Sequence, residues 1–168
     1  MQESVKQTNL KFVNKSPNAD PDFGREGNSG FDLRAWIQAD EGGNYNYESG
    51  QYTIELKPFE RRLIHTGLYF TVPFGTEIQV RPRSGFALKK GVTVLNTPGT
   101  IDENYTGEIC VIAANISNEP VIITSGERIA QAVLVNVLNS HFTVLEKVDE
   151  IEDNKERGKN GFGSSGMN

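Results

Sequence analysis

The sequence predicts an all-β domain of the jelly-roll-like sandwich or barrel type. Short segments of alternating apolar and polar residues recur along the chain, and Gly, Pro and Asn separate them. A helical period is almost absent, and its one candidate is a single turn at 86–90. Two segments, 109–114 and 129–135, are apolar at nearly every position, which is typical of strands covered on both faces. We therefore expect a second copy of the chain to cover one of these faces.

Length, charge and cysteine content narrow the class of protein. The 168 residues suit one domain, and the net charge of −5 argues against a general nucleic-acid partner. Cys110 is the only cysteine, which excludes an intrachain disulfide and a cysteine zinc cluster, and its apolar neighbours predict simple packing. The N-terminal residues lack the apolar core of a secretory signal, and no apolar run approaches the ~20 residues that cross a bilayer. We expect a soluble cytoplasmic protein, or one inside a virion or organelle, without a membrane partner.

In the N-terminal half, strands are recognised by their alternation and by the turn residues at their ends. A short strand at 10–13 precedes a loop at 14–28 that is rich in Pro, Asn, Asp and Gly. In the strand at 31–37 the apolar residues alternate with polar ones, so Asp32 lies on the face opposite the core. Residues 41–52 are rich in Gly, Asn and Tyr and are predicted to be an inserted surface loop or small ribbon. The remaining strands predicted here are 52–56, a pair within 60–70, and 76–81.

In the C-terminal half, the basic segment 81–90 interrupts the strand pattern, and 95–108 is predicted to be a β-hairpin because of its Gly and Asn residues. The sequence predicts a single β-domain at 1–148 followed by a mobile glycine-rich arm at 149–168, which cannot bury enough apolar surface to fold alone. The strands predicted here are 91–95, 109–116, 121–124, 128–138 and 142–148.

Several segments carry groups that suit phosphate. Arg83, Ser84 and Gly85 together offer a guanidinium, a hydroxyl and unhindered backbone N–H groups. The Gln131 amide is a further donor, although a turn followed by a core strand explains most of its segment. The arm also offers a guanidinium and hydroxyl groups among its glycines, and it adds one aromatic ring that can stack on a base. The candidate residues of the arm are Arg157, Phe162, Ser164 and Ser165. The ordinary alternatives are a solvated basic turn and a disordered linker.

The segment 95–108 places an amide, a carboxylate and an aromatic ring close together, at Asn96, Asp102 and Tyr105. Such groups can bind a base edge, activate a water and pack on a sugar. Considered alone, however, Asp102 is more simply interpreted as an ordinary turn residue. Asp32 offers a second carboxylate for a metal-bound water, since Mg²⁺ keeps several waters and takes few carboxylates. The two histidines, His65 and His141, have no His or Cys at ligand spacing and are predicted to be structural.

Taken together, five segments resemble, in order, the motifs of the trimeric deoxyuridine triphosphate nucleotidohydrolase (dUTPase) family. Any one of them is a weak signal, whereas five in order over nearly the whole chain are highly specific. The chain departs from the usual pattern at Asn104, Asn160 and Ser165. The five segments are SGFDLRA at 29–35, RPRSGFA at 81–87, GTIDENYTGE at 99–108, GERIAQA at 126–132 and RGKNGFGSSG at 157–166.

The resemblance implies a jelly-roll (β-clip) homotrimer whose three active sites are each built from all three chains. It implies Mg²⁺-dependent hydrolysis of dUTP to dUMP and pyrophosphate, which keeps uracil out of DNA and supplies dUMP for dTMP synthesis. By this resemblance Asp102 orients the water that attacks the α-phosphate, Asp32 holds a magnesium-bound water, and Tyr105 packs on the deoxyribose. The other residues implied to bind substrate are Arg83, Ser84, Gly85, Asn96, Gly99, Thr100, Ile101, Gln131, Arg157, Phe162, Gly163, Ser164 and Ser165.

Two alternatives stay open at this point. A dCTP deaminase on the same fold would release ammonia from dCTP, but the complete arm and the 102–105 segment favour the hydrolase. A non-catalytic regulator would use the nucleotide pocket as a switch for a protein partner, with 41–52 as the place to look for that partner. Retention of every candidate catalytic group argues against regulation as the sole function.

Overall fold

The computed structural model describes residues 7–151, and this part of the chain is an all-β fold, as the sequence predicts. Within that range it has twelve strands, one α-helix and one 3-10 helix. The strands are β1 (Lys11–Asn14), β2 (Phe31–Arg34), β3 (Asn44–Asn46), β4 (Gln51–Leu56), β5 (Arg61–Ile64), β6 (Leu68–Thr71), β7 (Thr76–Pro82), β8 (Val92–Val94), β9 (Gly99–Ile101), β10 (Val111–Asn115), β11 (Val121–Thr124) and β12 (Arg128–Asn136). The helix α1 is Ser84–Lys90, and the 3-10 helix is Ala39–Glu41.

The strands pair antiparallel in four sheets, ordered β1-β6, β5-β10-β8, β11-β4-β3 and β2-β12-β7-β9. The last of these positions the polar residues of interest. In its register Gln131 of β12 lies between Asp32 of β2 and Arg81 of β7. Side chains on one face of adjacent strands lie close together, so this sheet brings together residues that are far apart in the sequence.

The core forms where the apolar faces of these sheets meet. In β2 the buried residues Phe31 and Leu33 alternate with the half-buried Asp32 and Arg34, which confirms that Asp32 lies on the face opposite the core. Asn115 is a buried polar residue, and its amide nitrogen donates to the carbonyl groups of Leu56, Lys57 and Glu119. The other core side chains include Ile54, Ile64, Ile78, Val80, Val94, Ile109, Val111 and Ile123.

The predicted helical turn at 86–90 is confirmed, and α1 begins two residues earlier. It ends at Gly91, whose φ of 64° is left-handed and whose N–H donates to the carbonyl of Ala87. At 41–52 the structure forms a small ribbon of β3 and β4, in which the rings of Tyr45 and Tyr52 are 5.2 Å apart. No helix among residues 7–151 has the length and apolarity needed to cross a membrane.

The predicted strand at 142–148 is wrong. Residues 139–143 form a turn in which the Asn139 carbonyl accepts from the N–H groups of Phe142 and Thr143, and its side-chain oxygen accepts from His141. A β-strand needs a neighbouring strand with which it can form hydrogen bonds. Among residues 7–151 no strand pairs with 142–148, and alternation of apolar residues alone does not provide one. Leu145 is 96% exposed.

The segment 95–108 is not the self-paired hairpin that the sequence predicts. Its β9 residues pair instead with β7, with Thr100 opposite Gln79, and Glu108 forms an isolated bridge with Tyr69. The edge of β7 offers β9 a complete ladder, so the residues between β9 and Glu108 form a loop. Asp102 and Tyr105 close that loop, because the Tyr105 N–H donates to the Asp102 carbonyl at 3.1 Å.

The predictions for His65 and Cys110 also need correction. Cys110 is half-buried rather than simply packed in the core, and its sulfur lies 3.6 Å from Nδ1 of His65. His65 is therefore not isolated from other potential ligands, and its Nδ1 is also 2.8 Å from Glu108. The topology brings these residues together, because the β5–β6 connection, which contains His65, lies beside the residues that precede β10. His65 and Cys110 are 45 residues apart, so no short motif in the sequence indicates their contact.

Candidate active site

A cleft of about 510 Å³ lies beside β2, β12 and the start of α1. Of the residues that the structure describes, four arginines and only two carboxylates line it, so this cleft is positively charged in a protein whose net charge is −5. Guanidinium groups bind phosphate oxygens through paired, charge-assisted hydrogen bonds. The arrangement therefore suits a ligand with several negative charges. The arginines are Arg25, Arg34, Arg83 and Arg128, and the carboxylates are Asp22 and Asp32.

Asp32 anchors two of these arginines. Nε of Arg83 donates to Oδ1 of Asp32 at 2.6 Å, and a terminal nitrogen of Arg128 lies 3.3 Å from Oδ2. Arg83 also donates to the main-chain carbonyl of Arg128 at 3.2 Å. These contacts hold the plane of the Arg83 guanidinium at the cleft before any ligand binds.

The other predicted phosphate-binding residues of the described chain also line this cleft. Ser84 is exposed in the first turn of α1, where backbone N–H groups have no acceptor within the helix. At Gly85 an added Cβ would meet no heavy atom within 4 Å, so the space beside it is open to a ligand. Gln131 lines the cleft too, but its side-chain nitrogen already donates to the Pro82 carbonyl at 2.8 Å, which leaves one N–H for another acceptor.

The predicted base- and sugar-binding residues do not line this cleft within one chain. Thr100 is exposed and Ile101 is half-buried, and both belong to β9 at the edge of the sheet. The Asn96 side-chain nitrogen lies 3.2 Å from the position that a Cβ would take at Gly99. The Asn96 amide thus lies against the main chain of β9, and any side chain larger than hydrogen at Gly99 would press on it.

Asp102 and Tyr105 lie at the exposed end of the loop that follows β9. Among residues 7–151 the Asp102 carboxylate has no hydrogen bond or ion pair. The Tyr105 hydroxyl donates to the Glu108 carbonyl at 2.9 Å, and its ring covers Gly107. A Cβ at Gly107 would lie only 2.5 Å from that hydroxyl oxygen. Gly107 is therefore needed for the position of the Tyr105 ring, a reason that the turn signal in the sequence does not reveal.

Glu103 fixes the loop that carries Asp102. Its carboxylate accepts from the Gly75 N–H at 2.9 Å and from the Asn139 amide at 3.2 Å, and it lies 3.3 Å from Nε2 of His141. The hydrogen bond from Gly75, followed by those from Asn139 and His141, holds the pKa of Glu103 below its usual value.

We expect Glu103→Gln to lower the stability of the protein at neutral pH and to reduce its loss of stability in acid. Because the pKa of Glu103 is lowered by folding, this group stabilises the fold above the usual value of 4.5 and loses that effect as the pH falls through the lowered pKa. Thermal unfolding curves of both proteins from pH 7 downward measure the effect. Parallel curves for the two proteins would contradict it.

Sequence reasoning missed three cleft arginines as candidate site residues: Arg25, Arg34 and Arg128. Arg34 shares the alternating face of Asp32, and Arg128 belongs to the GERIAQA segment, so signals for both existed. Arg25 lies in an irregular loop, which has no period to follow. The predicted arm residues lie outside the described residues; they are Arg157, Phe162, Gly163, Ser164 and Ser165.

Comparison with known proteins decides the family. The dUTPase family model matches residues 49–166, which is more than half of the chain. The chain belongs to the dUTPase family. A deoxyuridine 5'-triphosphate nucleotidohydrolase of Cytophaga hutchinsonii is 46% identical over 159 residues, which are 95% of this chain and 92% of that protein. One from a Hydrogenobaculum species is 55% identical over 115 residues, 68% of this chain and 76% of that protein.

Solved dUTPase structures share the fold of this chain. A variant dUTPase of Staphylococcus bacteriophage 80alpha with dUpNHpp superposes with a TM-score of 0.76 at 24% identity, covering 96% of this chain and all of that one. The dUTPase of phage phi11 of S. aureus superposes with a TM-score of 0.69 at 20% identity, covering 86% of this chain and 99% of that one. At this level of identity the likeness concerns the fold alone, and it confirms the all-β dUTPase architecture.

Proposed function

We propose that this protein hydrolyses dUTP to dUMP and pyrophosphate by attack of a water on the α-phosphate. The observation that carries the proposal is the arginine-lined cleft, which is formed by three of the five family motifs. A triphosphate brings several negative charges, and Arg83 and Arg128 are held ready for them by Asp32. The removal of uracil nucleotides and the supply of dUMP for dTMP synthesis follow from this reaction.

The phosphates bind, in this proposal, along the start of α1. Arg83 supplies a guanidinium in a fixed orientation, Ser84 a hydroxyl, and Gly85 a backbone N–H with open space beside it. Gln131 contributes its remaining side-chain N–H. Charge-assisted hydrogen bonds of this kind strengthen as charge develops on the phosphate oxygens during reaction.

The uracil and the deoxyribose are selected by the segment that contains β9. Asn96 and the main chain of Gly99, Thr100 and Ile101 read the base edge, and the close packing of Asn96 against Gly99 supports a pocket too narrow for a thymine methyl. Tyr105 packs on the deoxyribose and excludes a 2′-hydroxyl. Its ring is suited to this role because the hydrogen bond to Glu108 and the contact with Gly107 fix its position.

Asp102 acts as the general base that orients and deprotonates the attacking water. Its carboxylate is exposed and makes no hydrogen bond within residues 7–151, so it is available to accept a proton from water. The main-chain bond to Tyr105 and the anchoring of Glu103 hold the loop that carries it. A positioned carboxylate contributes about 10²–10⁴-fold to such a step.

We propose magnesium as the cofactor. The described residues of the cleft offer few carboxylates, which suits an ion that binds mainly through substrate phosphates and waters. Asp32 and Asp22 are the only carboxylates there, and both oxygens of Asp32 meet guanidinium groups. Two carboxylates cannot enclose the ion, but Mg²⁺ commonly binds through substrate phosphates, waters and one or two carboxylates. Asp32 would hold the ion through a water, and the ion would neutralise charge on the substrate phosphates.

A homotrimer with shared sites completes the proposal. Within residues 7–151 the phosphate-binding residues and the residues 96–105 lie in separate regions, so this part of one copy does not surround a nucleotide. An apolar row on the outer face of the β5-β10-β8 sheet supports an interface, and it consists of Leu63, Leu95 and Ile112. The apolar segment 129–135 gives less support to the prediction that a second copy covers one of its faces, because Val133 is already only 7% exposed within one chain.

We expect light scattering to give three times the 18.6 kDa of one chain, and Leu63→Lys to yield a smaller species. Burying a lysine charge without a partner in an apolar interface is costly. Ile122→Lys is the matched control, because Ile122 is 56% exposed, as Leu63 is, but lies on a different sheet. A monomeric wild-type protein would refute the shared site.

The arm at 149–168 closes over the bound nucleotide in this proposal, with Arg157 and Ser165 on the terminal phosphates, Gly163 and Ser164 beside them, and Phe162 on the base. Ordering a glycine-rich segment costs about 1–2 kcal/mol per residue, so closure requires the full set of substrate contacts.

Truncation before Arg157 is expected to leave the assembly intact and to lower kcat/KM for dUTP by about 100-fold or more, since closure excludes water and completes the site. Gel filtration and pyrophosphate release measure the two effects. Full activity of the truncated protein would rule out the closing role.

One substrate comparison tests the function itself. Pyrophosphate and ammonia release are measured with dUTP, dTTP, dCTP and UTP, each with Mg²⁺. We expect pyrophosphate from dUTP far above the other three nucleotides. Ammonia release from dCTP would instead favour a deaminase, and nucleotide binding without any product would favour a regulator.

A further inference from the structure

A cluster of three different potential metal ligands lies outside the arginine-lined cleft. His65, Glu108 and Cys110 each offer one ligand atom, and these atoms all lie within 4.8 Å of one another. None of the three lines the cleft described above. We propose that these three side chains bind one Zn²⁺ ion.

The distance between the Cys110 sulfur and the His65 nitrogen agrees with tetrahedral zinc. Zinc binds sulfur at about 2.3 Å and nitrogen at about 2.0–2.1 Å, so two such ligands at a tetrahedral angle lie about 3.6 Å apart. The sulfur of Cys110 lies 3.6 Å from Nδ1 of His65. The Glu108 oxygen is 2.8 Å from the same nitrogen, and this pair opens by about half an ångström when a metal replaces the hydrogen bond.

The surroundings orient the ligands as they do in known zinc sites. The other ring nitrogen of His65, Nε2, lies 3.4 Å from a carboxylate oxygen of Glu41. A carboxylate on the distal nitrogen fixes the ring and favours the tautomer that binds metal through Nδ1. The second oxygen of Glu108 accepts from the N–H groups of Thr66 and Gly67, at 3.0 and 2.7 Å, so its carboxylate is also held in place.

The main chain around the cluster is firmly connected. The buried hydroxyl of Thr66 donates to the Ile109 carbonyl, and the Ile109 N–H donates to Leu68 at 2.8 Å. The N–H of Trp36 donates to the His65 carbonyl at 2.8 Å. The three ligands therefore lie on segments whose relative positions the fold already fixes, which reduces the cost of assembling a site.

The ligand set selects the metal. A thiolate and an imidazole favour zinc over magnesium, which prefers oxygen ligands alone. Binding releases the thiol proton of Cys110, since the thiolate is the ligand, and His65 binds through an unprotonated Nδ1 with its ring proton on Nε2, toward Glu41. Three protein ligands leave a fourth position for water, and the partial exposure of His65 gives the ion a path from solvent.

The test uses the full-length protein, reduced, freed of metal and titrated with Co²⁺ and then with Zn²⁺. Cobalt bound to a thiolate gives a sulfur-to-metal charge-transfer absorption in the near ultraviolet. Cys110 is the only cysteine in the chain, so this absorption reports the proposed site alone. We expect the wild-type protein to show it with one equivalent of Co²⁺ and Zn²⁺ to abolish it.

Three variants and a control assign the residues. Cys110→Ser removes the absorption. Glu41→Gln retains it but weakens Co²⁺ binding by about 10–100-fold, as expected for a residue that orients a ligand, and His65→Gln weakens it further. His141→Gln is the matched control, because His141 also lies beside a carboxylate, Glu103, but near no thiol, and its binding stays at the wild-type value.

Absence of the charge-transfer absorption from the wild-type protein would overturn the proposal, and so would equal Co²⁺ affinity in His65→Gln. If Cys110→Ser fails to fold, the role of Cys110 is tested instead by its alkylation rate in the wild-type protein, measured with and without zinc. Zinc is expected to slow that alkylation, and an unchanged rate would also overturn the proposal.

Discussion

Replacing Asp102 by Asn is expected to lower kcat for dUTP hydrolysis by about 10²–10⁴-fold, because the attacking water loses its general base. The substitution is nearly isosteric, and the Asp102 carboxylate is exposed and makes no hydrogen bond within residues 7–151. Asparagine therefore changes the chemistry of the site without disturbing the packing. Single-turnover rates measure the chemical step, and binding of a non-hydrolysable dUTP analogue measures affinity, which is expected to stay near the wild-type value.

The neighbouring residue supplies a control for Asp102. Glu103→Gln changes a carboxylate to an amide in the same loop, but Glu103 is held by Gly75 and Asn139 and does not contact substrate in the proposed mechanism. We expect its effect on turnover to be much smaller than that of Asp102→Asn. Similar losses of turnover in the two variants would indicate that a shift of the loop, rather than loss of a base, accounts for the effect of Asp102→Asn.

Arg83→Lys is expected to lower kcat/KM for dUTP by about 10–100-fold. A hydrogen bond to a charged group contributes about 1.5–3 kcal/mol, and lysine keeps the charge but loses the planar fork that Asp32 holds at the cleft. Arg128 stays beside Asp32, so that carboxylate is not left without a cationic partner. Steady-state kinetics with dUTP and thermal unfolding measure activity and stability separately.

Lys89→Ala is the matched control for Arg83→Lys. Lys89 is an exposed cation on α1, the helix that Arg83 directly precedes, but it does not line the cleft. Its removal lowers the net positive charge near α1 without removing a phosphate contact, so kcat/KM is expected to change little. Because Arg83→Lys keeps the charge, general attraction of the anion would leave Arg83→Lys near the wild-type value and lower kcat/KM only in Lys89→Ala; that result would contradict a fixed contact from Arg83.

The sequence by itself determined the fold class, most of the strands and the family. Alternation in 31–37 put Asp32 on the face opposite the core, and this was correct because the two faces of a strand differ in burial. The turn residues marked the ends of elements such as β11, whose bounds match the prediction. These properties are local: they depend on side chains a few residues apart, which a sequence displays directly.

Only the tertiary structure decided which strands pair and which distant side chains meet. It paired β9 with β7 rather than within 95–108, and left 142–148 without a ladder. It also brought Arg128 to Asp32, and Cys110 to His65, across 96 and 45 residues of chain. Such contacts depend on how the sheets stack and cross, and the free energy of that packing is not encoded in any one segment.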